Sequence, residues 1–358
     1  MSPKSLNEFA DEKEQIKIAE HEALARTIRA ERADKARLKE QIAEVEHERD
    51  AAEKALSLYE HKYADRPAWL APPKRVGTDR GTLVAFLSDT HYGEVVRSEE
   101  VGGYNKYDIG VAEQRTQRFF SKTVEMARNY FAGVKYDGIV LALGGDIVSG
   151  DIHDELAQTN ALSTHETILW AIPRLSAGVE MLRKEFGQIH VISAPGNHGR
   201  DSRKPRYKGR SAHNADTLIA RLLAQQFAGK DGVTFDVPES IDVNFAVYKW
   251  RFSMEHGDEL RFNGTSEIGS LGPIKRGTMR KRTQMQAEGK PFDYLLLGHF
   301  HQYVPAASQG FIANGTLKGF DEYARGRKFT PEPPQQAIFI VNPDYGVSLQ
   351  APLFVGAA

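Results

Sequence analysis

Five short motifs in this chain combine carboxylate, imidazole or amide side chains with small or glycine neighbours. In chain order they are Asp89-Thr90-His91, Gly145-Asp146, Gly196-Asn197-His198, Glu255-His256-Gly257 and Gly298-His299-Phe300-His301. The 358 residues include no cysteine, so any bound metal must be held by His, Asp, Asn or Glu. Such a mixture of nitrogen and oxygen donors suits manganese, iron, zinc or magnesium rather than copper. The motifs therefore predict a divalent metal site.

The predicted secondary structure gives these motifs a common place. Four of the five directly follow an apolar run that is typical of a buried strand, and His256 closes a longer mixed run over 245–255. Open α/β folds bind ligands beyond the carboxyl ends of their strands. Glycines next to the candidate ligands allow tight turns and close approach of the backbone. We therefore expect the side chains to converge at one end of a sheet.

The order of elements predicts the fold class. In the first half, strands at 82–87, 138–143 and 190–193 alternate with helices at 111–131, 161–186 and 214–227. In the second half, strands are predicted at 233–237, 245–255, 294–297, 311–313, 337–341 and 347–349, with little helix between them. This pattern favours an α/β fold, a mixed β-sandwich flanked by helices, over a plain doubly wound sheet.

The chain is predicted to divide into an extension, a linker and a catalytic domain. Residues 1–62 are rich in Ala, Glu, Lys and Arg, and apolar residues recur there at heptad spacing, as at Leu38, Ile42 and Val45. Either one helix lies against the domain, or the helix forms a coiled coil that makes a homo-oligomer. Residues 63–80 form a proline-containing linker that Trp69 anchors, and the catalytic domain spans 81–358.

Net charge and hydrophobicity bear on whether the protein has a nucleic-acid or a membrane partner. The formal net charge of −1 argues neither for nor against a nucleic-acid partner. The amino terminus leads into a charged segment, and the chain has no apolar run of membrane-spanning length. We therefore expect a soluble protein of the cytoplasm without a membrane partner.

The series D-x-H, GD, GNH, an isolated H and GHxH resembles that of the calcineurin-like metallophosphoesterase superfamily, and it covers residues 81 to about 315. The resemblance implies that a hydroxide bridging two metals attacks a phosphate ester, with manganese the preferred metal. It further implies that Asp146 and Asn197 belong to the catalytic machinery and that His198 acts as the general acid. It implies these metal ligands: Asp89, His91, Asp146 and His301 for the first metal, and Asp146, Asn197, His256 and His299 for the second.

The chain departs from the family after the GNH motif. Members often carry an acidic residue there that helps to orient the histidine, but this chain has Gly199. Asp201 and Asp151 are the candidates for orienting His198. Residues 150–154 are candidates for substrate contacts, although His153 itself is interpreted as a surface or cap residue.

Two basic stretches bear on the substrate. One begins two residues after His198, and a second spans 275–282. The substrate-binding candidates in the first are Arg200, Arg203, Lys204, Arg206 and Tyr207. Cations with an aromatic residue suit a phosphate backbone with stacked bases, which favours nucleic acid and a nuclease, by analogy with the DNA-repair exonuclease branch. The alternative is a phosphatase or phosphodiesterase acting on a small molecule, nucleotide or phosphoprotein.

Overall fold

The computed structural model describes residues 29, 31–32, 34–47, 49–50, 67–70, 79–260 and 271–356. The strands are β1 (Arg80–Leu87), β2 (Lys135–Leu143), β3 (Ile189–Ser193), β4 (Val233–Asp236), β5 (Asp242–Val247), β6 (Trp250–Glu255), β7 (Tyr294–Leu297), β8 (Phe311–Ala313), β9 (Gln335–Asn342) and β10 (Gly346–Phe354). Among the described residues from 67 onward, the helices are α1 (Ile109–Glu125), which continues as a π-helical turn over Met126–Tyr130, α2 (Asp154–Thr159), α3 (Thr164–Phe186), α4 (Ala215–Gln226), α5 (Leu271–Ala287) and α6 (Glu322–Gly326). Short 3-10 turns lie at Ala68–Leu70 and Ala307–Gln309.

These strands form two sheets. The larger has six strands in the order β10-β9-β1-β2-β3-β4, and the smaller has four in the order β5-β6-β7-β8. Strands β1 to β4 run parallel, whereas β9 and β10 extend the sheet in antiparallel fashion. In the smaller sheet β5 is antiparallel to β6, and β6, β7 and β8 are parallel. Both sheets are therefore mixed.

Side chains that alternate along each strand belong to different hydrophobic clusters, so the core is divided into layers. In β1, Leu83 and Leu87 belong to the cluster shared with helices α1, α3 and α4, whereas Val84 and Phe86 belong to the cluster between the sheets. Successive side chains on a strand point to opposite faces, so one apolar run serves both clusters. A third cluster packs α5 on the smaller sheet. The resulting helix–sheet–sheet–helix arrangement confirms the predicted mixed sandwich flanked by helices.

Several predicted elements need correction. The run 245–255 is two strands, β5 and β6, joined at Tyr248, whose φ is +56°. Helix α5 is a 17-residue helix in the half that was expected to have little helix, and it carries the second basic stretch. The short helices α2 and α6 were not predicted either. Trp69 lies against Gly138 on β2, as expected of an anchor, since a side chain at Gly138 would meet its ring at 2.6 Å.

The chain separates into two compact units, Met1–Lys62 and Tyr63–Ala358. In the first unit the described residues are helical, and Leu38, Ile42 and Val45 are 54%, 53% and 63% exposed. Most of the segment 1–62 in which heptad spacing was predicted, and most of the predicted linker, lie outside the described residues. None of the helices described for this chain is long and apolar enough to cross a bilayer.

Candidate metal centre

The candidate ligands lie beyond the carboxyl ends of strands from both sheets. Asp89 follows β1, Asp146 follows β2 and Asn197 follows β3, all in the larger sheet. In the smaller sheet, His256 follows β6 and His299 follows β7. Both sheets therefore direct polar side chains to the same end of the sandwich, which is where parallel strands place binding sites.

The backbone at these positions is unusual. Among the described residues, seven that are not glycine have a positive φ, and five of them are candidate ligands. They are Asp89, His91, Asp146, His299 and His301, with φ between 47° and 65°. This left-handed region is sparsely populated by such residues, and the strain concentrates at functional sites. The distribution therefore supports a site at this cluster independently of the motifs.

One group of possible ligand atoms forms between β1 and the GHxH motif. Asp89, His91 and His301 bring one ligand atom each to within 4.8 Å of one another. The Nε2 atoms of His91 and His301 are 3.1 Å apart, and Nε2 of His301 lies 3.3 Å from Oδ1 of Asp89. Asp89 is held in place because its Oδ1 accepts the backbone N–H of His299 at 3.0 Å.

A second group consists of Asp146, His256 and His299. Oδ2 of Asp146 lies 2.9 Å from Nε2 of His256 and 3.9 Å from Nε2 of His91, a member of the first group. Its other oxygen, Oδ1, accepts the backbone N–H of His198 at 2.7 Å. Asp146 therefore lies between the two groups, as a carboxylate shared by two cations must.

The structure also offers buried polar atoms that lack partners. Oδ1 of Asn197 is buried and makes no hydrogen bond, and Nε2 of His256 is buried with only the carboxylate of Asp146 near it, at 2.9 Å. An unpaired buried polar group is costly. Bound cations at the two groups would satisfy these atoms, so the residues present fit a pair of divalent ions. Their chemistry, a mixture of carboxylate, imidazole and amide, suits manganese, iron, zinc or magnesium.

A contact on the opposite ring nitrogen decides which imidazole nitrogen faces the cluster. Nδ1 of His256 donates to the carbonyl oxygen of Gly144 at 2.8 Å, which leaves Nε2 directed at Asp146. On His91, Nδ1 lies 3.5 Å from Oε2 of Glu94, a carboxylate that Lys318 also contacts at 2.9 Å. A hydrogen bond such as that of His256 orients metal-binding histidines, whereas Nδ1 of His91 makes none.

Burial and the charges of neighbouring residues shift the pKa values of the histidines and of Asp146 in the cluster. Burial lowers the pKa of His91 well below its usual value and that of His299 to about 4, so both rings are neutral, as metal binding requires. Burial opposes charge on His256 as well, but the adjacent Asp146 outweighs it and raises the pKa of His256. Burial also opposes ionisation of Asp146, and His256 and His198 overcome it, so its pKa is well below the usual value.

The structure identifies a different orienting group for His198 from those predicted. Nδ1 of His198 donates to the backbone carbonyl of Ser149 at 2.7 Å, so Nε2 is the nitrogen left for the cluster. Asp201 instead pairs with His213 at 2.7 Å, and Asp151 accepts from Thr164 at 2.7 Å. The expectation that Asp201 or Asp151 orients His198 is therefore wrong. Its ring also groups with His91 and Asp146.

Sequence reasoning missed Asp216, on α4. Its buried carboxylate accepts three backbone N–H groups, from Asp146 at 2.9 Å, Ile147 at 3.0 Å and Gly196 at 2.9 Å. Burial and the charge of Asp146 raise the pKa of Asp216 to about 6, so it is ionised at neutral pH. Asp216 thus joins the loops that carry Asp146 and Asn197. No local motif marks it.

Gly199 makes room for this arrangement. A Cβ atom there would lie 3.1 Å from the carboxyl carbon of Asp216 and 2.5 Å from Oδ1 of Asn214. The glycine that departs from the family pattern therefore stands beside the carboxylate of Asp216, which the following helix α4 supplies.

We expect Asp216→Asn to weaken metal binding by about 10- to 100-fold, a range typical of groups that support metal ligands. An amide cannot accept all three N–H groups, and each unpaired one costs about 1–3 kcal/mol. Calorimetric titration of the metal-free protein with Mn²⁺ measures the affinity. The matched control is Asp137→Asn. Asp137 lies on β2, and its carboxylate contacts Arg80 and Tyr248. This control should lower stability without changing metal affinity, and an equal loss of affinity in both variants would contradict the role of Asp216.

A cavity of about 690 Å³ opens over the cluster. His91, Asp146, Asn197, His198 and His301 line its floor. His153, interpreted from sequence as a surface or cap residue, also lines it, and its ring centroid is 5.8 Å from that of His198. It stands at the start of α2, but its side chain makes no capping hydrogen bond. The cavity is large enough for a small phosphate ester.

In the basic loop after His198, part of the positive charge is bound by groups of the protein itself. The guanidinium of Arg200 donates to the carbonyl oxygens of Asn197, Ser202 and Arg203 at 2.8–2.9 Å. Arg203 pairs with Asp154. Lys204, Arg206 and Tyr207 are exposed. In the second basic stretch, Lys281 is buried between Asp242 and Glu255 on the smaller sheet.

Comparisons with known proteins give low similarity. No family model matches the chain, and no curated protein matches it in sequence. Among solved structures, a dimetal phosphatase from Danio rerio is 10% identical with a TM-score of 0.35, over 77% of this chain and 99% of that one. A predicted phosphoesterase from Streptococcus pneumoniae is 13% identical with a TM-score of 0.25, over 76% and 97%. Vacuolar protein sorting 29 from Cryptosporidium parvum is 14% identical with a TM-score of 0.30, over 73% and 86%.

TM-scores of this size carry no inference about activity. The fold is a two-sheet α/β sandwich, and at its strand ends Asp146 lies between two groups of histidines. The geometry of these groups is the evidence from which a reaction can be proposed.

Proposed function

We propose that the protein hydrolyses phosphate esters with two divalent cations, for which manganese is our first choice. The observation that carries this proposal is the position of Asp146, whose Oδ2 lies between His256 and His91 of the two ligand groups. Two bound cations would supply activation of water and positive charge for the phosphoryl oxygens. Asp146 would offset the repulsion between them, and Asn197 would add an oxygen ligand without charge.

The residues of the chain account for the remaining steps. Asp216 and the short turns hold the ligand loops rigidly, which keeps the reacting groups in position. His198, fixed through Nδ1 by Ser149, presents Nε2 to the cavity and can donate a proton to the leaving oxygen. The cavity receives the organic part of the ester.

The test is a panel of substrates with the Mn²⁺-loaded full chain. We expect hydrolysis of at least one phosphate monoester or diester, with loss of activity in Asp89→Asn. Metal-dependent binding without hydrolysis of any ester in a panel of p-nitrophenyl esters, nucleotides, DNA and RNA would contradict the proposal.

Nuclease activity is the second candidate, and one observation favours it. Lys204, Arg206 and Tyr207 form an exposed cationic stretch with an aromatic residue, and Tyr207 is 77% exposed. A nucleic-acid substrate predicts a steep loss of binding as salt rises, whereas turnover of a small ester should respond modestly. Cleavage of DNA or RNA with that salt dependence would establish this candidate.

We also propose that the amino-terminal helix pairs with a second copy of the chain. In the full chain, Leu38→Asp combined with Ile42→Asp should reduce the mass in solution to that of a monomer, 40.0 kDa. The two exposed apolar side chains lie at heptad spacing, and charge there opposes a coiled-coil seam. Sedimentation measures the mass, with Lys39→Ala as the control. A wild-type protein that already sediments as a monomer would contradict the proposal.

A further inference from the structure

The cavity above the cluster has one aromatic side. Phe300 and Phe320 are buried in its wall, and Tyr323 and Phe329 stand at its mouth. The rings of Tyr323 and Phe329 are 6.2 Å apart and nearly perpendicular, at 77°. These residues come from the GHxH motif and from the segment around α6, so the aromatic side adjoins His299 and His301.

The two residues at the mouth are exposed although they are large and apolar. Tyr323 is 64% exposed and Phe329 is 41% exposed. Single exposed apolar residues are ordinary, but two neighbouring rings beside a polar cluster mark a binding surface. The guanidinium of Arg327 lies 5.3 Å from the centre of the Tyr323 ring, so the same edge also offers a cation.

The charge of the cavity disfavours a long polyanion. Of the described residues that line it, only two are Lys or Arg and six are Asp or Glu. The Lys and Arg residues are Lys318 and Arg327, and the acidic residues are Glu94, Asp146, Asp154, Glu155, Asp321 and Glu332. Lys318 is buried and paired with Glu94 and Asp321. Asp154 is likewise paired with Arg203, so apart from any bound cations the lining offers a phosphate chain one cation, Arg327, beside the carboxylates of Glu155 and Glu332.

We propose that this site takes a small phosphate ester whose organic part is a planar ring, bound against Tyr323 and Phe329. The proposal rests on the proposed function and narrows its substrate class. The single phosphoryl group lies over Asp146 and the two ligand groups, and the ring lies against the aromatic side beside Arg327. A nucleic-acid chain is the competing substrate, and the test below separates the two.

The experiment uses phosphonates, which cannot be hydrolysed, with the Mn²⁺-loaded full chain. Calorimetry should show that phenylphosphonate binds about tenfold or more tightly than methylphosphonate, because stacking on aromatic side chains adds affinity. In Tyr323→Ala combined with Phe329→Ala, that ratio should fall close to one while methylphosphonate affinity stays unchanged. The control is Tyr345→Ala combined with Phe354→Ala, two exposed aromatic residues at β10 that do not line the cavity. It should keep the wild-type ratio.

Because the readout is binding, it separates the two proposals. Equal affinity for the two phosphonates in the wild type, or a ratio that survives in the Tyr323/Phe329 variant, would overturn the ring proposal and leave ester hydrolysis intact. A single-stranded oligonucleotide that competes more strongly than phenylphosphonate, with a steep salt dependence, would overturn it in favour of a nuclease. Failure of wild-type protein to bind either phosphonate or hydrolyse any ester would overturn both proposals.

Discussion

Asp146→Asn should lose both metal ions together. Asparagine keeps the shape of the side chain, but it removes the negative charge that lies between His256 and His91. Without it, two cations would repel each other across a neutral amide. We expect metal content near zero after gel filtration and a fall in ester hydrolysis of about 10³-fold or more, equivalent to about 4 kcal/mol.

Asp89→Asn is the matched comparison, because Asp89 belongs to the first group alone. That variant should retain one ion, bound by the second group, whereas Asp146→Asn should retain none. Elemental analysis of the purified variants counts the ions, and thermal unfolding of the metal-free forms checks that both are folded. If Asp146→Asn keeps one tightly bound ion, Asp146 is not shared between two sites.

The sequence predicted that the candidate ligands converge, which the structure shows, because its signals are local. Each motif places a ligand within a few residues of a strand end, and parallel strands meet there in any α/β sheet. The predicted layers were also correct, since the apolar runs of β1, β2 and β3 are continuous. The shared position of Asp146 was implied only by the family resemblance, because no local pattern specifies how the smaller sheet packs on the larger.

Helix α5 escaped prediction because its sequence resembles a loop. It contains Pro273 and Gly277, two residues that usually disfavour helix interiors, and a run of basic residues. Its buried face is narrow, with Ile274 and Met285 packed on the smaller sheet. Tertiary packing therefore overrides a weak local preference.

Groups that support the cluster could not be predicted because they act over long sequence distances. Asp216 is separated by 70 residues from Asp146, whose N–H it accepts. The carbonyl of Ser149 orients His198 from 49 residues away, and a backbone carbonyl leaves no trace in residue type. The acidic residues near His198 in the sequence, Asp201 and Asp151, therefore gave no indication of its orienting group. The same holds for Tyr323 and Phe329, which join the cavity only through the fold.

His198→Ala should retain both metal ions yet lose most turnover on esters with poor leaving groups. The ring is fixed by its hydrogen bond to Ser149 at 2.7 Å, and Nε2 faces the cavity as a proton donor to the departing oxygen. General acid catalysis contributes about 10²- to 10⁴-fold, so an alkyl phosphate should be hydrolysed more slowly by that factor. A p-nitrophenyl ester needs little protonation of its leaving group and should be affected much less.

Two further variants separate this role from a structural one. His198→Asn can still donate to the Ser149 carbonyl but cannot act as an acid, so it should resemble His198→Ala in rate while its stability stays closer to wild type. His153→Ala removes the neighbouring ring at 5.8 Å and should leave the difference between alkyl and aryl esters unchanged. Because His198 also groups with His91 and Asp146, loss of a metal ion in His198→Ala would instead make it a ligand. Metal content and the ratio of alkyl to aryl rates, measured on the same preparations, therefore decide between an acid and a ligand.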